Sequence, residues 1–223
     1  MFTCDWLGRI DYAEALQLQQ QLVAERTASP TLDDRLLLLE HPPTYTLGKR
    51  GDMRHLLLDE SSFTRAGFSL YRVDRGGDIT YHGPGQLVGY PIVNVKRLYG
   101  SQLDLHRYVG DIEEILIQAL AEFGVTSWRY KGYTGVWVSS ESGPAKIAAI
   151  GIRVNSKGIS SHGFALNIAT DLTHFAHIIP CGIQEHGVTS LSDILQRPLA
   201  VEDVLPSVIK AVRQVFHVDV QQV

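Results

Sequence analysis

The stretch RGGDITYHGPGQLVGYP, residues 75 to 91, limits what this chain can fold into more than any other segment. Ile79, Thr80, Tyr81, Val88, Tyr90 and, just beyond, Ile92 favour strand, while five glycines and Pro84 weaken any strand interior they occupy. A chain carries so many glycines where its backbone must turn sharply or lie close against a ligand, because a residue without Cβ reaches positive φ without strain. On that reading Arg75, His82 and Gln86 supply the polar contacts. The same residues also suit an ordinary glycine-rich hairpin with a solvated arginine and histidine, so the rest of the chain has to decide.

The flanking segments read mostly as strand. RLLLLEH (35 to 41), stopped by Pro42 and Pro43, is a short apolar run suited to burial on both faces. TYTLGKRG starts another strand and breaks into a basic loop, FSLYRVD (68 to 74) alternates into the motif, and QLVGYPIVNV continues beyond it, which puts the motif between strands. Segments 133 to 139, 146 to 154 and 159 to 169 are β-rich, divided by Gly/Ser turns, and read as sheet neighbours. Asp11 caps a helix running to about Thr27, with Tyr12, Ala15, Leu16, Leu22 and Val23 as a plain core stripe. A second helix runs from Leu103 to Phe123 and stops at Gly124; a third spans roughly 201 to 216 with Pro206 in its second turn. With no repeat or composition-shifted linker, the pattern predicts one α+β domain over residues 1 to 223: a mixed, largely antiparallel sheet flanked by helices.

Composition narrows the function. A chain of 223 residues, 44% hydrophobic, has room for a sizeable core. A net charge of −4 without any long Lys/Arg run argues against a general nucleic-acid binder. No apolar run approaches the ~18 residues needed to span a bilayer, and the N-terminus lacks the pattern of a secretory signal, so no membrane association and a cytoplasmic location are expected. Cys4 and Cys181 lie far apart without C-x-x-C spacing, which suggests neither a disulfide framework nor a zinc site; no metal or cofactor is expected.

Two side chains could carry chemistry. Cys181, in IIPCGI, is either an inert buried thiol or, presented by the turn that Gly182 permits, a nucleophile beside backbone N–H groups that receive an oxyanion. Such a thiol needs a base, since only the thiolate attacks. Candidates are His82, His162, His177, His186 and Lys146. Lys146 opens the apolar strand PAKIAAIGIRV, where it is either a strand-end lysine reaching water or a partly desolvated amine able to accept a proton. Cys4, near the terminus beside Trp6, reads as structural.

RGGDITYHGPGQLVGYP, followed in order by KIAAIGI, SSHGFALNI and IIPCGI, resembles the lipoyl(octanoyl) transferase family over about Leu36 to Leu195, without departure at the motif positions. The resemblance implies a fold like the catalytic core of biotin and lipoate protein ligases, and acyl transfer from octanoyl-acyl carrier protein to a lysine of lipoyl domains in 2-oxoacid dehydrogenases and the glycine cleavage H protein. It implies Cys181 as the acyl-accepting nucleophile and Lys146 as the residue that activates it. Substrate-binding segments follow by position: Arg75, Gly76, Gly77, Asp78, Ile79, Thr80, Tyr81 and His82; Ala149, Ile150 and Gly151; Gly163, Phe164 and Ala165. Tyr81, His82 and Gln86 are expected to line the acyl wall, and Lys49, Arg50 and Arg54 to dock the acidic carrier. Rival readings are an ATP-dependent lipoate or biotin ligase, an amidotransferase between lipoyl-bearing proteins, and a non-catalytic carrier-binding module.

Overall fold

The computed structural model describes residues 2–100, 102–141, 143–179 and 186–222. In chain order its first half holds β1 (Phe2–Arg9), α1 (Tyr12–Ala28), β2 (Asp34–Glu40), β3 (Thr44–Leu47), α2 (Glu60–Arg65), β4 (Ser69–Arg72), β5 (Ile79–His82) and β6 (Gln86–Ile92). Next come α3 (Val95–Leu98), α4 (Leu105–Ala121), β7 (Trp128–Tyr130), β8 (Tyr133–Ser140), β9 (Gly143–Val154) and β10 (Ser160–Asn167). The chain closes with β11 (Gly187–Val188), α5 (Leu191–Leu195), α6 (Leu205–Phe216) and β12 (Val220–Gln222).

The leucine run of β2 becomes a central strand because both its faces are covered. Successive side chains of a strand point to opposite faces. Leu36 and Leu38 therefore pack with Tyr108, Ile112 and Leu116 of α4 and Val208 and Val212 of α6. Leu37 and Leu39 pack instead with Ala15 and Leu22 of α1. The main sheet, nine-stranded among the described residues, runs β12-β1-β2-β6-β10-β9-β8-β7, with β11 added to β9. β1 is parallel to β2 and β12, and the other neighbours along this path are antiparallel. A three-stranded sheet, β4-β3-β5, closes over its own core of Tyr45, Phe63, Tyr81 and Phe175. Among the described residues no helix is long and apolar enough to cross a membrane.

Helix ends follow local chemistry, with two adjustments. Asp104 caps α4 by accepting from the Arg107 N–H at 2.9 Å, and the helix stops before Gly124 at φ +74°. Asp11 occupies the cap position of α1 but makes no side-chain cap bond. The C-terminal helix begins later than expected: Val201–Val204 form a 3-10 turn, so Pro206 falls in the first turn of α6, where its missing N–H costs nothing. The N-terminal strand β1 and the short β7, β11 and β12 were not legible in the sequence, because they exist through pairing with remote chain.

The glycine-rich motif is not a loop between strands. It holds β5 in the small sheet and opens β6 in the main sheet, so the chain changes sheets at Gly83–Gly85. Gly85, at φ +78°, makes that corner possible: a Cβ there would stand 2.4 Å from the Ala169 carbonyl oxygen. Gln86 N–H closes the turn on Gly83 O at 3.1 Å.

Candidate active site

Three stretches remote in sequence meet where β6, β10 and β9 lie side by side. Register pairs Gly163 with Gly151 and Ala165 with Ala149, so the two short glycine/alanine segments are direct neighbours. Phe164 faces Gly89 of β6, and a Cβ on Gly89 would lie 2.2 Å from its ring; glycine is required there for the ring to lie flat on the sheet. The third stretch reaches them through Gly76 N–H, which donates to Ile152 O at 3.1 Å.

Arg75 anchors this junction. Its guanidinium is buried and donates to Thr46 O at 2.6 Å, to Thr46 Oγ1 at 2.9 and 3.1 Å, and to Gly76 O at 2.9 Å. The arginine thereby ties β3 of the small sheet to the motif beside the main sheet, a role its planar fork of donors suits and an ammonium could not copy.

The result is a cleft of about 470 Å³, counted to its open mouth, bounded by Arg75, Gly77, Thr80 and His82, by Ala149–Gly151, and by Gly163–Ala165. The remaining expected members lie elsewhere. Thr80 and His82 face the cleft, so strand alternation turns Ile79 and Tyr81 away into the core of the small sheet. Asp78 ties down the neighbouring loop, accepting from Asp52 N–H at 3.2 Å and contacting His55 Nδ1. Gln86 lies beneath the wall rather than on it, donating to Tyr81 O at 3.1 Å and Asn167 Oδ1 at 2.9 Å.

Three further residues line the cleft: Tyr12 and Tyr90, which sequence reasoning missed, and His162, which it named only as a candidate base. Tyr12 read as core stripe and Tyr90 as strand former, and nothing in local pattern separates those roles from a cleft wall. Burial raises the pKa of both phenols, so both stay neutral. His41 donates from Nδ1 to Ile10 O at 2.9 Å and accepts from the Tyr90 hydroxyl at Nε2, 2.8 Å away. Burial holds His41 neutral, pushing its pKa down to about 4. His82 is pushed to about 3, first by burial and then by His41 and Arg75. Its Nδ1–H donates to Gln86 Oε1 at 2.9 Å and its Nε2 accepts from Thr46 at 3.3 Å, the pattern of a neutral ring.

Lys146 is not part of the cleft lining. It precedes Ala149 on β9 by three residues, about 10 Å along a strand. A bulge between Val136 and Trp137 in the β8 pairing opposes Trp137 to Lys146. The residue is half-buried, but its amine is at the exposed end, donating to Thr134 O at 3.1 Å and lying 4.8 Å from the Trp137 ring centroid. Val188 of β11 is its strand partner on the other edge, and the His186 ring stands edge-on to Trp137 at 5.4 Å. His177 accompanies Tyr45, 3.0 Å from its hydroxyl, in the small-sheet region. Cys181 lies outside the described residues. Cys4 is buried, and burial pushes its thiol up to about 12, which makes it unreactive. Lys49 and Arg50 are exposed on a loop whose N–H groups bond Arg75 O and Gly77 O, whereas Arg54 is paired with Asp52.

The mixed sheet flanked by helices has the fold of the lipoate and biotin protein ligase catalytic cores. The bipartite lipoate protein ligase of Thermoplasma acidophilum superposes with a TM-score of 0.76 at 15% identity, over 99% of this chain and 86% of that one. Biotin protein ligase from Aquifex aeolicus gives 0.52 at 12% identity, over 96% and 69%. The family model of the lipoyl protein ligase A/B catalytic domain matches residues 11–213. An octanoyltransferase of Rubrobacter xylanophilus is 47% identical over 210 residues, 94% of this chain and 90% of that protein. The chain belongs to the lipoyl(octanoyl) transferase family and is an acyltransferase.

Proposed function

We propose that this enzyme takes the octanoyl group from the thioester of an acyl carrier protein onto Cys181 and passes it to the ε-amine of a lysine on lipoyl domains of 2-oxoacid dehydrogenases and the glycine cleavage H protein. This would be the first step of endogenous protein lipoylation, carried out in the cytoplasm. The supporting observation is the convergence of 75–82, 149–151 and 163–165 around one cleft whose floor is glycine, alanine and Phe164.

The acyl chain lies in the cleft with its thioester toward Lys146 and its methyl end toward Gly151. Thiolate attack exchanges one thioester for another and is nearly balanced. Amide formation then runs downhill, provided the acceptor amine, with a reference pKa of ~10.4, loses a proton. Lys146 takes the thiol proton and returns it to the departing pantetheine sulfur; in the second step it accepts the amine proton and passes it to the departing Cys181 sulfur, which restores the thiol. Arg75 holds the walls together, and His82, neutral at working pH, adds no charge beside the chain.

The test is mass spectrometry after incubation with octanoyl carrier thioester and no acceptor. One octanoyl mass should appear on a peptide containing Cys181, be released by hydroxylamine, and be absent from Cys181→Ala. An adduct on another residue, or ligation of free octanoate with ATP by the Cys181→Ala protein, would overturn the reading.

A further inference from the structure

A second cavity lies behind the first, of about 510 Å³ counted to its mouth and bounded by Leu16, Gln19, Val23, Asp74, Arg153 and His162 among others. Both cavities draw on α1, on residues 74–75, on β9 and on β10. Tyr12 of α1 borders one and Leu16, a turn later, the other; Arg75 and Asp74 divide likewise; Gly163 and Ser161 lie to either side of His162. Among the described residues His162 alone borders both.

The ring is held firmly. His162 has φ +56°, uncommon for a residue with a Cβ. Its backbone N–H donates to the buried Gln19 side-chain oxygen at 2.8 Å, and Nε2 donates to Asp74 Oδ1 at 2.9 Å. Asp74 is in turn paired with Arg153. Burial works to raise the Asp74 carboxyl, but His162 and Arg153 hold it below the usual range, so it is ionised. The residue is 2% exposed, and among the described residues its Nδ1 has no hydrogen-bond partner.

We infer that His162 is the end-stop of the acyl cleft, the residue that fixes donor chain length by separating the cleft from the cavity behind it. The inference rests on the proposed direction of the acyl chain, thioester toward Lys146 and methyl toward Gly151. A longer tail meets the buried imidazole edge, which it can neither hydrogen-bond nor displace without breaking the contacts to Asp74 and Gln19. With the ring removed, the tail continues along Leu16, Val23 and Ala24 of α1. Each further methylene received there favours binding by about fourfold.

The experiment measures kcat/KM with hexanoyl, octanoyl, decanoyl, dodecanoyl and tetradecanoyl pantetheine thioesters for the wild type, His162→Gly and His162→Asn. Glycine and asparagine both tolerate the left-handed backbone. The wild type should fall off beyond octanoyl, and both variants should raise the dodecanoyl-to-octanoyl ratio by about tenfold or more. Variants that transfer octanoyl with the wild-type ratio overturn the end-stop and leave the acyl-transfer reading standing. A wild type that takes dodecanoyl as well as octanoyl overturns it without any variant. Failure of the wild type with every thioester would overturn the acyl-transfer reading itself.

Discussion

Acidification should destabilise this protein through two histidines that the fold keeps neutral. His41 and His82, 0% and 7% exposed, have pKa values near 4 and 3 against 6.5 for an unhindered imidazole. A base whose pKa is depressed by folding is protonated first in the unfolded chain. Between pH 6.5 and about 4 the unfolded state therefore binds more protons, so stability is complete above 6.5 and falls with pH. At pH 5, about 1.5 pH units below the unfolded value, each histidine contributes a loss of about 2 kcal/mol, about 4 together. His162, also lowered chiefly by burial, acts in the same direction. Urea unfolding at closely spaced pH values gives the slope, and His82→Gln and His41→Gln should each flatten it by close to one proton, about 1.4 kcal/mol per pH unit. If both variants keep the wild-type slope between pH 5 and 6.5, neither ring is held neutral by burial and His82 does not enter the cleft uncharged.

Octanoyl donors should outperform acetyl donors by two orders of magnitude or more in kcat/KM, since each buried methylene contributes ~0.8 kcal/mol; equal rates would mean the cleft does not hold the chain. Lys146→Ala should form and discharge the Cys181 adduct slowly, recovering in part as pH rises, and Lys146→Arg should not restore it because guanidinium cannot accept a proton; an arginine variant with near-normal turnover leaves Lys146 only an electrostatic role. Reversing the exposed Lys49 and Arg50 to Glu should raise KM for the carrier-bound donor and spare a small pantetheine thioester; equal slowing of both removes the loop as a docking surface. Gly163→Ala should destabilise by about 3 kcal/mol, because its Cβ would lie 2.1 Å from Gly89 O and 2.6 Å from Pro91 Cδ, and a fully stable variant by urea unfolding would contradict the β6–β10 register.

The sequence by itself determined the elements that carry strong local signals and the motif that names the family. Leu36 to Leu39 read as a doubly covered strand because an unbroken apolar run has no solvent face to offer, and α4 was legible from its spacing and Gly124. The segments 75–82, 149–151 and 163–165 stood out as residue strings, yet their meeting could not be read, since register between strands some 70 residues apart depends on pairing the whole sheet. Tertiary structure alone decided which side of each element faces the cleft. Tyr81 turned away and Thr80 inward because β5 belongs to a different sheet from β6, and Tyr12, buried like Ala15 and Leu22 of its stripe, also borders the cleft. His162 is the clearest case. Its neighbours in sequence, Ser161 and Gly163, say nothing of Asp74 or Gln19, and a histidine held at positive φ between two cavities follows from contacts 88 and 143 residues away, beyond the reach of any local pattern.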